Sequence, residues 1–463
     1  MNQRSKHYLI LALVISWVIF MLLSLRFGFL NMFSYSASQF STRGIDFFCL
    51  PRSFLNLLEM RSMFDTWGAT AYGPPYSTGY GYVYHPAFGL LVGFWFSFFT
   101  PWTSYSLFVL FSIVLLAWSA QVLSRCTADP VRKSACYLLL LCSFPTYWIL
   151  HMGNIHAISV CGFAFIMAAL FSLAYRKDAP NRIPEQAYLL SGLLMSFFTK
   201  PFALLYLPLL VMNRETRKTA ILGLAIYGVV SLIFLQVPLF NPEKIDSIEM
   251  LQIAMNPEFI KENLNVYKNN FVLNKYMKDN SMHWLHIVAQ SDFYWNHVDI
   301  FSLSAFTNTL AGKILPKFIY KLPLLIALAL SALVVLIRDS KKRLELSLLL
   351  AMALTLTFFL SYNTVWEYHF ALFQPAVVIL MLLRDEAGFC KKWTSVALGV
   401  SFFLYLPTCY VFFSDKVTDR FMLSVIRADK VVPALILYLI LIGISGAQMA
   451  REIVKRSRAV ISS

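Results

Sequence analysis

The feature that most constrains this chain is repeated along it: apolar runs near bilayer length, separated by short basic turns. The first, residues 8–30, exceeds the about 20 apolar residues a helix needs to cross hydrocarbon. Further runs follow at 104–123, 135–150, 157–175, 188–199, 202–212, 220–238, 318–337, 344–360, 370–383, 395–413 and 431–449. Of the 463 residues, 58% are hydrophobic and 14% charged, too few charges to cover a soluble surface. The expectation is an all-α polytopic membrane protein, one integral membrane domain over residues 1–463 with about twelve transmembrane helices. The apolar core of run 8–30 is too long for a cleaved signal peptide, and no small-x-small site follows it.

The formal charge of +15 would suit a nucleic-acid partner if it lay on one face. It lies instead in the turns: Arg125/Arg132/Lys133, Arg176/Lys177/Arg182, Arg214/Arg217/Lys218, Arg338/Lys341/Lys342/Arg343, Arg384/Lys391/Lys392 and Arg451/Lys455/Arg456/Arg458. That is the positive-inside pattern of cytoplasmic loops, with no nucleic acid implied. Counting crossings from a cytoplasmic start puts every basic turn, and both termini, in the cytoplasm. The expected location is a bacterial-type cytoplasmic (inner) membrane. The seven cysteines form no spaced framework, so structural disulfides are not expected.

One run, 86–99, would invert this topology if it crossed fully, so it reads as re-entrant or half-spanning. The short runs flanking Lys200-Pro201 read as a hairpin dipping in from the cytoplasm. Facing the other side are a first long loop (31–85), the turn 151–156, Lys200-Pro201, a second long loop (239–317), and segments 361–369 and 414–430. Residues 54–64 have the pattern of an amphipathic surface helix.

Polar and ionisable groups at membrane depth are costly, which makes them functional candidates. They gather on the outer side: Asp46, Arg52, Tyr84, His85, Asn154, His156, Lys200, Trp366, Glu367 and His369. No nucleotide is available there, and the chain has neither a Walker-type phosphate loop nor a DxD metal pair. An activated substrate would bring its own leaving group, for which a lipid phosphate is the obvious choice. Such a reaction needs one carboxylate as base and cations to hold the departing phosphate. Each residue also has an ordinary reading. Lys200 can snorkel to headgroups, His369 can belong to an aromatic belt, Asn154 and His156 can cap helices, and Arg52 and Arg61 can bind headgroups. His283, Trp284, His286, Trp295 and His297 match no compact metal-ligand spacing and suit aromatic packing or glycan stacking better.

The segments Gly44-Ile45-Asp46-Phe47-Phe48, Tyr82-Val83-Tyr84-His85-Pro86, Gly153-Asn154-Ile155-His156, Lys200-Pro201 and 361–369 carry a resemblance through their order and spacing. Over about residues 8–385 the chain resembles the polyprenyl-phosphate-sugar-dependent glycosyltransferases of the GT-C membrane fold, nearest to glycosyltransferase family 87 with its mannosyltransferases. It departs from their pattern at His85, where proline is usual, in lacking the glutamine of the Gly-Asn turn, and at Tyr368 in place of a histidine. The resemblance implies inverting transfer of mannose or another hexose from a polyprenyl-phosphate donor to a lipid-linked or envelope glycan. Asp46 would be the base. Lys200, His369, Trp366, Tyr84, His85, Asn154, His156, Arg52 and Glu367 would bind substrate, with Phe47-Phe48 anchoring the acid at the interface. No cofactor is implied, and the residues leave participation of a divalent metal open. Two other readings stand beside this one: an O-antigen-type polymerase or ligase, and a lipid or solute transporter or flippase.

Overall fold

A computed structural model describes residues 2–33, 43–59, 84–176, 184–236, 301–312, 315–362, 365–384, 391–408 and 420–461, with the single positions 63, 72, 82 and 386. All regular structure among them is helical. Among the described residues, seven helices are long and apolar enough to cross a membrane, or eight if one bent pair counts as a span. This is the architecture of a polytopic membrane protein.

The chain opens with α1 (Gln3–Phe27), which ends at Gly28 in the left-handed conformation, φ 80°, with its N–H on Ser24 O. Helix α2 (Cys49–Leu58) lies five residues earlier than the amphipathic pattern suggested, because Pro51 fits a first turn, where no N–H is needed. A short apolar helix, α3, runs from Pro86 through a π-turn at Gly89–Gly93 and ends in Phe94–Ser97. Its length suits the half-spanning reading. Then come α4 (Pro101–Ser124) and the pair α5 (Pro130–Leu141) and α6 (Phe144–Met152), bent by 47°. Helices α7 (His156–Tyr175) and α8 (Glu185–Thr199) follow, then a 3₁₀ segment (Pro201–Tyr206) leading into α9 (Leu207–Met212), and α10 (Arg214–Gln236). The last group is α11 (Leu303–Ala311), α12 (Lys317–Leu333), α13 (Ser340–Ser361), a 3₁₀ segment (Glu367–Phe373) running into α14 (Gln374–Leu383), α15 (Lys391–Ser401) and α16 (Arg420–Ile461).

Burial orders these helices from centre to rim. Every residue in the apolar window of α7 and of α13 is buried, whereas only 22% of the α1 window is. A helix apolar all round belongs inside a bundle. The apolar side chains left exposed on α1, such as Leu13, Ile15 and Ile19, require a hydrocarbon surrounding instead of water. Close approach of backbones sets α7 against α8: a Cβ on Gly192 would lie 2.5 Å from Gly162 O. Small residues at such crossings are how helices associate in lipid.

Two expected boundaries move. The span expected at 395–413 is α15 followed by a 3₁₀ turn that ends at Leu404. The segment 414–430, expected as an outer loop, is helical from Arg420 onward and continuous with the last span. Its charges enter the protein because backbone carbonyls receive them. Lys430 Nζ donates to Phe403 O (2.8 Å) and Leu406 O (2.6 Å), and Arg427 Nη1 to Ala305 O (2.8 Å). The bundle has two distinguishable ends. The basic turns share one end, where Arg176 meets Glu386 at 2.9 Å and Arg343 reaches Met212 O. Most of the second long loop, including His283, Trp284, His286, Trp295 and His297, lies outside the described residues, as does Arg61.

Candidate functional site

At the opposite end, two turns clasp each other and present Asp46. Gly44 takes φ 76° and Gly153, the C-cap of α6, takes φ 65°, both in the region where side chains are strained. The Gly44 N–H donates to His151 O (2.8 Å) and the Asp46 N–H to Met152 O (2.9 Å). Tyr105 Oη caps the end of α6 through Leu150 O and His151 O. A Cβ on Gly153 would come within 2.5 Å of Phe47 Cβ, so the fit of the two turns depends on its absence. Phe47 and Phe48 are fully buried among Phe96, Phe108, Tyr105 and Trp102. They anchor the acid from the protein core and not, as expected, from the lipid interface.

The clasp aligns Asn154 with the acid. Asn154 Nδ2 donates to Asp46 Oδ2 at 2.7 Å, which makes Asn154 Oδ1 the acceptor end. That oxygen takes the His156 N–H at 3.0 Å and the His156 imidazole Nδ1. The network therefore assigns the proton of neutral His156 to Nδ1. Its Nε2 is buried without a hydrogen-bond partner among the described residues.

Lys200 arrives through a broken helix. Pro201 disfavours the helical conformation at the residue before it, and Lys200 is extended at φ −137°, ψ 118°. Ser196 satisfies the groups freed by the break, donating to Lys200 O (3.1 Å) and accepting from the Ala203 N–H (3.1 Å). His369 arrives on the first turn of the 3₁₀ segment, where its Nδ1 accepts the Trp366 N–H (2.9 Å). The other ring nitrogen, Nε2, therefore carries the proton and donates it to Lys200 Nζ at 3.1 Å, which accepts as a neutral amine. The His156 and His369 rings lie 4.5 Å apart, with Tyr368 edge-on to both. Gln374 Nε2 donates to Thr146 Oγ1 (2.8 Å), tying the start of α14 to the first turn of α6.

The electrostatics follow from this packing. Burial raises the Asp46 carboxyl to about 6, against the Asn154 hydrogen bond and the Lys200 charge, both of which lower it. Burial likewise brings Lys200 down to about 7, opposed by Asp46. Both side chains keep some exposure, so a substrate can reach them. Once Lys200 takes up a proton, it and the His369 Nε2–H become two donors with no acceptor between them, beside one acid. Donors arranged in this way can receive an anion such as a phosphate.

Asp46, Asn154, His156, Lys200 and His369 thus come together from four separate stretches, with Trp366 holding His369 through its backbone. The other expected residues sit elsewhere in the packing. His85 is the N-cap of α3, with Nδ1 accepting the Ala87 N–H (3.1 Å) and Nε2 on Ser231 Oγ (3.1 Å). Tyr84 packs edge-on to Tyr82 and Phe88, and Arg52 is 1% exposed within α2. Glu367 accepts the Thr408 N–H at 2.9 Å and lies 4.0 Å from Lys430. It secures the 3₁₀ segment to α16 behind His369. Sequence reasoning missed Ser196 and Tyr105, whose tasks depend on a helix break and a helix end. Among the described residues no group of three potential metal ligands occurs. Compared with known proteins, the chain matches no family model, no characterised protein and no solved structure.

Proposed function

We propose that the protein is a membrane glycosyltransferase that moves mannose or another hexose from a polyprenyl-phosphate donor to a hydroxyl of a lipid-linked or envelope glycan. The observation that supports this reading is the convergence of Asp46 with Lys200 and His369 at one end of the bundle, with Asn154 fixing the carboxylate. In the transfer, Asp46 removes the proton from the acceptor hydroxyl. The acceptor oxygen bonds to the sugar's anomeric carbon, inverting it, as the bond from that carbon to the phosphate oxygen breaks. Lys200 and His369 stabilise the charge collecting on the departing polyprenyl phosphate. Outward-facing apolar helices give the prenyl chain a place to lie.

The proposal keeps twelve crossings, with the basic turns and both termini in the cytoplasm. The short helices beside Lys200, and those at 367–383 and 391–404, supply the passages beyond the membrane-length ones. Eight crossings and twelve share the same parity, so both termini stay on one side by either count, and Asp46, after the first crossing, lies on the other.

The test uses purified full-length protein in liposomes with labelled polyprenyl-phosphate hexoses and membrane glycolipids. Wild type should form a glycosidic product. Asp46→Asn should lose roughly 10²–10⁴-fold in rate, the usual worth of a general base, without a change in melting temperature. Full activity in that variant would overturn the mechanism. Movement of the labelled lipid across the bilayer without any product would favour a flippase.

A further inference from the structure

A groove of about 830 Å³ lies at the basic end, far from Asp46, between the start of α13, α15 and the second half of α16. Along α16 it is lined from Leu439 to Lys455, about 24 Å at 1.5 Å per residue. One leaflet's share of a ~30 Å hydrocarbon core is roughly 15 Å, so this groove crosses from acyl depth into the headgroup layer. Its character changes along the way. Leu346, Gly443 and Ile444 wall the inner part, and Trp393, half-exposed, stands where interfacial tryptophans collect. The outer part carries Lys342, Arg451 and Lys455.

Two of these cations have carboxylate neighbours. Lys342 Nζ meets Glu345 at 2.7 Å, and Lys455 Nζ meets Glu452 at 3.4 Å. Arg451 makes no ion pair among the described residues, so three cations against two carboxylates leave one positive charge at the mouth. A guanidinium holds a phosphate by two parallel hydrogen bonds. Next to Gly443, a Cβ would meet open space, so the apolar part has room for a chain.

We infer that this groove seats one anionic phospholipid of the cytoplasmic leaflet, its phosphate on Arg451 and Lys455 and an acyl chain along Gly443 and Leu346. Basic pockets between helices on the cytoplasmic side are sites for anionic headgroups. The inference rests on the membrane-spanning architecture and not on the chemistry proposed for Asp46.

The test is native mass spectrometry of the delipidated full-length protein, titrated with phosphatidylglycerol and with phosphatidylcholine. Wild type should retain one phosphatidylglycerol in preference to phosphatidylcholine. Arg451→Gln with Lys455→Gln should weaken retention roughly thirtyfold, about fivefold for each cation. Gly443→Leu, which fills the chain's path, should weaken both lipids. As a measurement on the unmutated groove, phosphatidylglycerol with brominated chains should quench tryptophan fluorescence, and Trp393→Phe should remove that quenching. Unchanged retention in the double variant, or equal stabilisation by soluble glycerol phosphate, would overturn the site. So would a dimer that Gly443→Leu converts to monomer, because a second copy would then occupy the groove.

Discussion

At the basic end, Arg176 meets Glu386 at 2.9 Å with 37% and 22% of the two side chains exposed. At the other end, Lys200 meets His369 at 3.1 Å with Asp46 close enough to shift its proton affinity. Both are close polar contacts between distant parts of the chain, yet they do different work. Water screens the first, so it adds little, about 0–1 kcal/mol for pairs of this kind. Desolvation strengthens each interaction in the second and also makes each charge expensive to keep. A protein keeps such a cluster where the charges act on something, and it keeps surface pairs where they orient and solubilise.

The comparison can be broken by substitution, beginning where the largest effect is expected. Lys200→Met removes the cation that, among the described residues, is coupled to Asp46, and it should cost roughly 10²–10³-fold in kcat/KM for the proposed hexose transfer, the range for losing one preorganised charge stabiliser. An unchanged kcat/KM would reduce Lys200 to a helix-end residue. Gly153→Ala comes next. A side chain at φ 65° costs about 1–2 kcal/mol, and its Cβ would displace Phe47, so thermal melting should show a loss of at least that size. Activity should fall with it, because the same turn carries Asn154.

A pH profile sharpens the comparison without a mutation. A base must be ionised to accept a proton, so kcat/KM should rise with pH through about 6, where Asp46 loses its proton. Lys200 must be charged to hold a phosphate, so the rate should fall as pH rises through about 7. An acid limb near the ordinary aspartate value of about 4 would mean that Asp46 is solvated during the proposed reaction. The smallest effect belongs to the basic end. Arg176→Gln should lower stability by less than about 1 kcal/mol and leave kcat/KM unchanged. A larger loss would place that end among the machinery as well.

The sequence was most informative where physics acts on composition. Apolar length and basic turns announced a helical bundle with two unlike ends, and the segments around Asp46, Asn154, Lys200 and His369 come together. What eluded it depends on three dimensions. Phe47 and Phe48 look like interfacial aromatics, but the Gly44–Gly153 clasp turns them into the core. The charges of 420–430 look like a loop, but Arg427 and Lys430 find carbonyls from distant segments and stay buried in a helix. Nothing local distinguishes His85 as a cap from His369 as a site residue. Only the partners of their ring nitrogens do so.

Asn154 has one further consequence. An amide is a one-way part, with a donor at one end and an acceptor at the other, and here the acceptor end is committed to His156. Its donor end faces Asp46 Oδ2 and takes one lone pair of that oxygen, whereas Oδ1 has no hydrogen bond from the described residues. A proton bound to the acid is therefore steered towards Oδ1. The two oxygens of one carboxylate are made unequal by an amide that can point only one way.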